Sequence, residues 1–114
     1  LNYEVISELL KMHGITCEHA SDGSICVEML KNSKKHTYDA ILMDMQMPVM
    51  NGLYATTAIR NMNSSEAHTI PIIAMTANAF KEDIEKCLNA GMNKYLSKPV
   101  DIFKLLKVLS EFRN

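Results

Sequence analysis

Residues 40–52 read Ala-Ile-Leu-Met-Asp-Met-Gln-Met-Pro-Val-Met-Asn-Gly, and this stretch decides the fold. It opens with four apolar residues, a length and composition typical of a strand buried on both faces. Asp44 stands where the apolar run stops, and Pro48 with Asn51-Gly52 then indicate a loop. A carboxylate at the carboxyl end of a buried parallel strand lies where open α/β sheets place their chemistry.

Working outward, apolar periodicity predicts strict alternation of helices and strands. Stripes at helical spacing predict five helices, in the order of the chain, around residues 3–13, 24–31, 55–62, 80–90 and 101–112. Short apolar or β-prone runs predict four strands, at residues 15–20, 38–43, 70–75 and 94–97. Alternation of this kind predicts an α/β fold, a doubly wound parallel sheet with helices on both faces.

Length, charge and cysteine content limit the classes of function that the chain can have. With 114 residues and 12.8 kDa, the chain is long enough for one domain with a real core. Twelve Lys+Arg against 13 Asp+Glu give a net charge of −1, which offers no electrostatic case for binding nucleic acid or a membrane. The three cysteines, Cys17, Cys26 and Cys87, form no C-x-x-C pair. Their spacing argues against a zinc site or disulfide framework, and favours apolar packing in a reducing cytoplasm.

Three polar residues share one position relative to the predicted strands. Asp44, Thr76 and Lys98 each follow the end of a strand, and the ends of parallel strands lie side by side. Taken singly, each has a simpler interpretation: Asp44 as a turn residue, Thr76 as a helix N-cap, Lys98 as a solvated cation. Together they predict a phosphoryl site, because a carboxylate can accept a phosphoryl group while an ammonium and a hydroxyl bind its oxygens.

These motifs carry a resemblance. Residues 42–52, 72–77 and 95–99, in this order and spacing, are similar to the receiver domain of two-component response regulators. The residues within these motifs are most similar to those of receivers in hybrid sensor histidine kinases. The similarity extends along the chain, so residues 1–114 are expected to form one receiver domain. The resemblance implies a flavodoxin-like sheet of order 2-1-3-4-5.

The resemblance also implies roles for the three rim residues. Asp44 would be the phosphoacceptor, taking a phosphoryl group from a histidine of a histidine kinase or histidine phosphotransfer domain. Thr76 would be the switch hydroxyl that moves towards that group. Lys98 would pair with it, and the peptide bond between Lys98 and Pro99 is expected to be cis.

Further residues receive roles on the same ground. Tyr95 falls at the family's aromatic switch position. The backbone carbonyl of Gln46 would bind Mg²⁺ together with Asp44, and the side chains of Gln46 and Asn78 would tune the lifetime of the acyl phosphate. The domain would be a phosphoacceptor switch and not a turnover enzyme, with no contact of its own to nucleic acid or membrane.

The sequence departs from the family at its beginning. Residues 1–6 resemble the start of the family's first helix, so the preceding strand and its pair of acidic residues are absent from the chain. We expect either an upstream segment of about ten residues, one strand and a loop, or a truncated domain prone to homodimer formation or strand exchange. Without the acidic pair, Mg²⁺ binding would be weakened.

Two alternatives follow. A pseudo-receiver that acts through protein contacts without phosphorylation remains open because of the missing acidic pair. A haloacid-dehalogenase-like phosphatase would need a second aspartate two residues after the nucleophile, where this chain has Gln46.

Overall fold

The structure is a computed structural model that describes residues 3–46, 50–77 and 80–112. Six helices and three strands lie along these residues, and each strand is preceded and followed by a helix. The helices are α1 (Tyr3–Lys11), α2 (Gly23–Asn32), α3 (Gly52–Arg60), α4 (Ser65–Thr69), α5 (Lys81–Ala90) and α6 (Ile102–Glu111). The strands are β1 (Ile41–Asp44), β2 (Ile72–Thr76) and β3 (Lys94–Ser97).

The three strands form one parallel sheet in the order β1-β2-β3. Ile41 pairs with Ile72 and Ile73 with Lys94, so the carboxyl ends of all three strands meet at one edge, called here the carboxyl rim. The apolar strand β2 is buried along most of its length, as expected for the central strand of a covered sheet. The predicted doubly wound α/β fold is confirmed.

Side chains on the two faces of the sheet form separate clusters. The larger cluster includes Met43, Ile59, Ile72 and Cys87 and lies beneath helices α2, α3 and α5. The second includes Leu10, Ile73, Leu96 and Leu105, which join α1 and α6 to the other face. Strands β1 and β2 therefore contribute alternate residues to opposite clusters, which is the geometry that period-2 side-chain direction imposes.

The strand predicted at residues 15–20 is wrong. That segment is extended, but it pairs with no strand within the described ranges, and a strand exists only where a neighbour exchanges ladder hydrogen bonds with it. Side chains hold it instead. The Tyr38 hydroxyl donates to Glu18 Oε2 at 2.5 Å, and the rings of Tyr3 and His19 stack with centroids 3.9 Å apart.

The connection between α3 and β2 also differs from the prediction. A break was expected from residue 63, but α3 ends at Arg60, and a five-residue helix, α4, follows. Ser64 accepts a hydrogen bond from the Ala67 N–H and so caps α4. Serine is a frequent N-cap, and in this sequence its signal was masked by the adjacent turn residues.

Capping residues mark the ends of several helices, and the cysteines differ in burial. Asp22 and Asp101 cap α2 and α6 with their side chains. Gly14, which follows α1, has a φ of +80°, the left-handed conformation that glycine adopts without strain. Of the three cysteines, Cys87 is buried and Cys26 half-buried, but Cys17 is exposed, so the expectation that it packs in the core is wrong.

Helices in the described ranges are all too short to cross a membrane.

Candidate functional site

Asp44 ends β1 at the carboxyl rim. It pairs in register with Met75, and the Met45 N–H continues the ladder by donating to the Met75 carbonyl at 3.0 Å. The Asp44 side chain is 35% exposed, and its Oδ1 lies 2.8 Å from Lys98 Nζ. The carboxylate is therefore held by the sheet on one side, paired with a cation, and still open to solvent.

Gln46 lies beside this ion pair and makes contacts on two sides. Its backbone N–H donates to Asp44 Oδ1 at 2.9 Å, which orients the carboxylate. Its side-chain Oε1 accepts from Lys98 Nζ at 3.4 Å and from the Ala77 N–H at 3.5 Å. These two contacts are at the long end of hydrogen-bond distances and are correspondingly weak. Gln46 thus joins the ends of all three strands.

Thr76 ends β2 at the same rim. It pairs with Ser97, is only 4% exposed, and its backbone carbonyl accepts the Lys98 N–H at 2.8 Å. The Lys98–Pro99 peptide bond is cis, as expected. The structure therefore brings together at one rim the three residues that the sequence singled out.

The remaining predicted site residues have different surroundings. Tyr95 lies on β3 opposite Ala74 and is 41% exposed. Asn78 lies outside the described residues. The Ala77 N–H, a donor at this rim, was missed, because a backbone donor carries no signature in the side-chain sequence.

Gly52 explains why the loop can return so closely to Asp44. A Cβ on Gly52 would lie 2.8 Å from the Asp44 carbonyl oxygen, closer than real Cβ atoms approach. Asn51 then caps α3 by accepting the Tyr54 N–H at 3.1 Å. The Asn51-Gly52 pair therefore starts α3 directly against the strand that carries the carboxylate.

The oxygen donors at the rim suit a hard cation only in part. Asp44 supplies one carboxylate, and no group of three His, Cys, Asp or Glu able to hold a metal occurs among the residues that the structure describes. Mg²⁺ accepts one or two carboxylates and takes its remaining ligands from water and phosphate oxygens. The rim fits a magnesium ion completed by such oxygens, and does not fit a metal held by protein alone.

The fold and the carboxyl rim together define a class of protein. It is a doubly wound α/β domain in which an aspartate at the end of one strand, Asp44 on β1, pairs with a lysine that follows another, Lys98 after β3. A family model described as the response regulator receiver domain matches residues 1–110. The chain belongs to this family.

Relatives with curated names point to one kind of architecture. The chain is 41% identical over 112 residues to hybrid signal transduction histidine kinase I of Dictyostelium discoideum, covering 96% of the chain and 6% of that protein. It is 42% identical over 115 residues to the osmosensing histidine protein kinase SLN1 of Saccharomyces cerevisiae, covering 98% of the chain and 9% of that protein. The chain thus spans less than a tenth of the length of these relatives.

Solved structures of receiver-domain proteins share the fold of this chain. The receiver domain of sensor histidine kinase PA1611 from Pseudomonas aeruginosa, with a magnesium ion coordinated in its active-site cleft, matches with a TM-score of 0.85 and 40% identity. The match covers 97% of this chain and 87% of that one. The chemotaxis protein CheY4 of Vibrio cholerae matches with a TM-score of 0.85 and 27% identity, over 96% and 88% of the two chains. The chain is a receiver domain homologous to those of hybrid histidine kinases.

Proposed function

We propose that Asp44 is the phosphoacceptor of a phosphorelay and receives its phosphoryl group from a histidine of a histidine kinase or histidine phosphotransfer domain. The observation that carries the proposal is the ion pair of Asp44 with Lys98, 2.8 Å long and partly exposed, at the rim of a receiver fold. A phosphoacceptor must be reachable by its donor, and the partial exposure of the Asp44 carboxylate meets this requirement.

The chemistry follows from this arrangement. A carboxylate oxygen of Asp44 attacks the phosphorus atom of a phosphohistidine, an oxygen–phosphorus bond forms, and the phosphorus–nitrogen bond breaks. The electron pair of the broken bond returns to the imidazole of the donor. Lys98 stays beside the carboxylate and offsets the charge of the phosphoryl oxygens, and the Ala77 N–H is a second donor nearby.

A magnesium ion would assist at the same rim. We propose that the Asp44 carboxylate and the Gln46 carbonyl hold it, with waters and phosphoryl oxygens as its other ligands. When bound, the ion would neutralise charge on the transferred group. The PA1611 receiver, 40% identical, was solved with magnesium in its cleft, which supports this assignment.

Switching would begin at Thr76 and pass to the surface. A phosphoryl group adds a charge of about −1.5 to −2 and three acceptor oxygens. The Thr76 hydroxyl would move towards it, and the Tyr95 ring would change its position as a result. Gln46 and Asn78 would set how long the acyl phosphate lasts. The domain is then a switch that takes part in one transfer, and not a turnover enzyme.

The surrounding protein is inferred from the relatives. We propose that the domain acts within a hybrid histidine kinase, because such kinases are the curated relatives it matches. A cytoplasmic location is proposed on the pattern of cysteines, which are free in the structure.

The test is an intact mass before and after incubation with acetyl phosphate and Mg²⁺. We expect a gain of one phosphoryl group that is lost in Asp44→Asn and retained in Asp39→Asn, a control at an exposed carboxylate of the same chain region. Omission of Mg²⁺ should slow the gain.

The outcome also separates the alternatives. A chain that binds its kinase partner but gains no phosphoryl group, with or without Mg²⁺, would be a pseudo-receiver. A gain that persists in Asp44→Asn would assign the acceptor to another residue.

A further inference from the structure

The amino end of α2 is bonded to the loop between β1 and α3. Asp22 caps the helix, and its Oδ1 accepts the N–H groups of Ser24 and Ile25 at 2.8 and 3.1 Å. The N–H of Gly23, the first helical residue, has a different acceptor and donates to the Met50 carbonyl at 3.1 Å. Because a helix leaves its first N–H groups without partners of its own, the Met50 carbonyl satisfies one of them.

Gly23 is buried at this contact, and a larger residue does not fit there. A Cβ on Gly23 would meet the Met50 carbonyl oxygen at a distance that real Cβ atoms do not reach. It would also lie 3.0 Å from the Cβ of Ala55, which is fully buried on α3. A backbone oxygen cannot turn aside as the end of a flexible side chain can. A methyl group at this position would therefore push the Met50 backbone, and α3 with it, away from α2.

Helix α3 in turn begins against the strand that carries Asp44. Met50 directly precedes Asn51, which caps α3, and Gly52, its first residue. A Cβ on Gly52 would lie 2.8 Å from the Asp44 carbonyl oxygen, so Gly52 is packed directly on that part of the backbone. A displacement of Met50 therefore reaches the end of β1 through the two residues that start α3.

We propose that Gly23 is a positioning residue for phosphoryl transfer to Asp44. Its N–H holds the Met50 carbonyl, and its lack of a side chain lets α2 lie close to the start of α3. That start lies against the strand end that carries the carboxylate. Gly23 thus acts on the reaction through the backbone that it holds in place. The proposal rests on the proposed phosphoacceptor function, which supplies the reaction that the position of Asp44 controls.

The first test is Gly23→Ala. Alanine keeps the N–H and is a good helix former, so the intended change is the displacement of Met50 by one methyl group. We expect the maximal rate of phosphoryl gain from acetyl phosphate at saturating Mg²⁺ to fall by about tenfold to a hundredfold, the effect of misplacing a reacting group by about 1 Å. The concentration of acetyl phosphate at half the maximal rate should change little, because the variant removes no bond to the donor.

Gly91→Ala is the matched control. Gly91 has a φ of +112°, where alanine is strained, and a Cβ there would lie 2.8 Å from Arg60 Cγ. It follows α5 and precedes β3, at the end of the strands away from Asp44. We therefore expect this variant to lose stability and to keep the wild-type rate, at a temperature where circular dichroism shows both variants folded.

Hydrogen exchange in the wild type tests the same coupling without a variant. If the Gly23 contact favours the arrangement that binds a phosphoryl group, occupancy of the carboxyl rim must favour the contact by the same factor. Beryllofluoride with Mg²⁺ is the phosphoryl mimic, and nuclear magnetic resonance follows the amides. We expect exchange of the Gly23 N–H to slow by about fivefold or more. The Gly91 N–H, which donates to the Leu88 carbonyl at 3.1 Å, should slow less.

Three results would each overturn the proposal: a wild-type rate in folded Gly23→Ala, a loss of rate in Gly91→Ala as large as in Gly23→Ala, or equal slowing at the two glycine N–H groups. If Gly23→Ala does not fold, the exchange measurement decides. Failure of the wild type to gain a phosphoryl group or to bind beryllofluoride, read by ¹⁹F resonance, would instead contradict the proposed function.

Discussion

Two cationic side chains, Lys98 and Arg60, lie at opposite ends of the strands of the sheet. At the carboxyl rim, Lys98 lies against the Asp44 carboxylate and the Gln46 amide, with its side chain 28% exposed. At the opposite edge, Arg60 makes four hydrogen bonds of 2.8–3.0 Å to two backbone carbonyls and one amide oxygen. Each side chain joins elements that are distant in sequence, but one does so with a single strong contact and the other with a network.

The difference follows from the chemistry of the two side chains. An ammonium is a compact charge on a flexible stem, and it can exchange one oxygen partner for another at small cost. A guanidinium presents donors in a fixed fork, and its network breaks as a whole. Burial also lowers the pKa of the Arg60 guanidinium, but it remains far above neutrality in a group of this kind. Lys98 is therefore the cation that can exchange oxygen partners more easily, and Arg60 is the one that holds several partners together.

The largest expected effect comes from removing the hydrogen bonds that Arg60 donates to the Ala67 and Gly91 carbonyls. Arg60→Met retains much of the stem but leaves the Ala67 and Gly91 carbonyls without these donors, so the free energy of unfolding should fall by about 2–3 kcal/mol. Urea denaturation followed by circular dichroism measures it. Lys86→Met, at an exposed cation on α5, is the control and should change stability by less than about 0.5 kcal/mol. Equal losses in both variants would contradict the role given to the network.

The second prediction concerns Lys98, the cation at the carboxyl rim. Lys98→Met should slow the gain of a phosphoryl group from acetyl phosphate by about tenfold to a hundredfold, the effect of one charge-assisted hydrogen bond on a transition state. Stability should change far less than in Arg60→Met, because Lys98 is partly exposed. Phosphorylation kinetics and urea unfolding on the same samples check both halves. A stability loss as large as that of Arg60→Met would remove the contrast between the two edges.

A third prediction concerns the loop that leaves Asp44. Asn51→Ala removes the side-chain cap of α3 and should lower the free energy of unfolding by about 1 kcal/mol. Asn51→Asp keeps an acceptor at the same place and should be close to neutral. Thermal unfolding compares the two, and a loss of stability in Asn51→Asp equal to that in Asn51→Ala would show that the cap contributes nothing.

The smallest effect is a dependence on pH near the same loop. Asp22 caps α2, and its hydrogen bond from the Ser24 hydroxyl, followed by those from the backbone, lowers the pKa of its carboxyl group. A lowered pKa means that this contribution is present above the usual aspartate range and is lost as the pH falls through the folded-state value. Unfolding at a series of acidic pH values should therefore show a shallower loss of stability in Asp22→Asn than in the wild type. Parallel curves would contradict the assignment.

The contrast between the edges also explains what the sequence could reveal. Asp44, Thr76 and Lys98 were found because each follows an apolar run that reads as a strand, and parallel strands end together. Arg60 and Asn93 were missed, because their partners are backbone carbonyls and N–H groups that have no residue signature. The strand expected at residues 15–20 failed for a related reason, since alternation predicts an extended chain but not a neighbour for it.

The parallel pairing of the strands also determines when the carboxyl rim assembles during folding. Ile41 of β1 pairs with Ile72, and Ile73 of β2 pairs with Lys94, so every ladder closes only after a whole crossover has become compact. Contacts this distant in sequence form slowly and late in folding. The rim residues Asp44, Gln46, Thr76 and Lys98 meet only across those ladders. A partly folded chain therefore has the Asp44 carboxylate without Lys98 beside it. On the function proposed for Asp44, partly folded copies should therefore accept phosphoryl groups more slowly than folded ones.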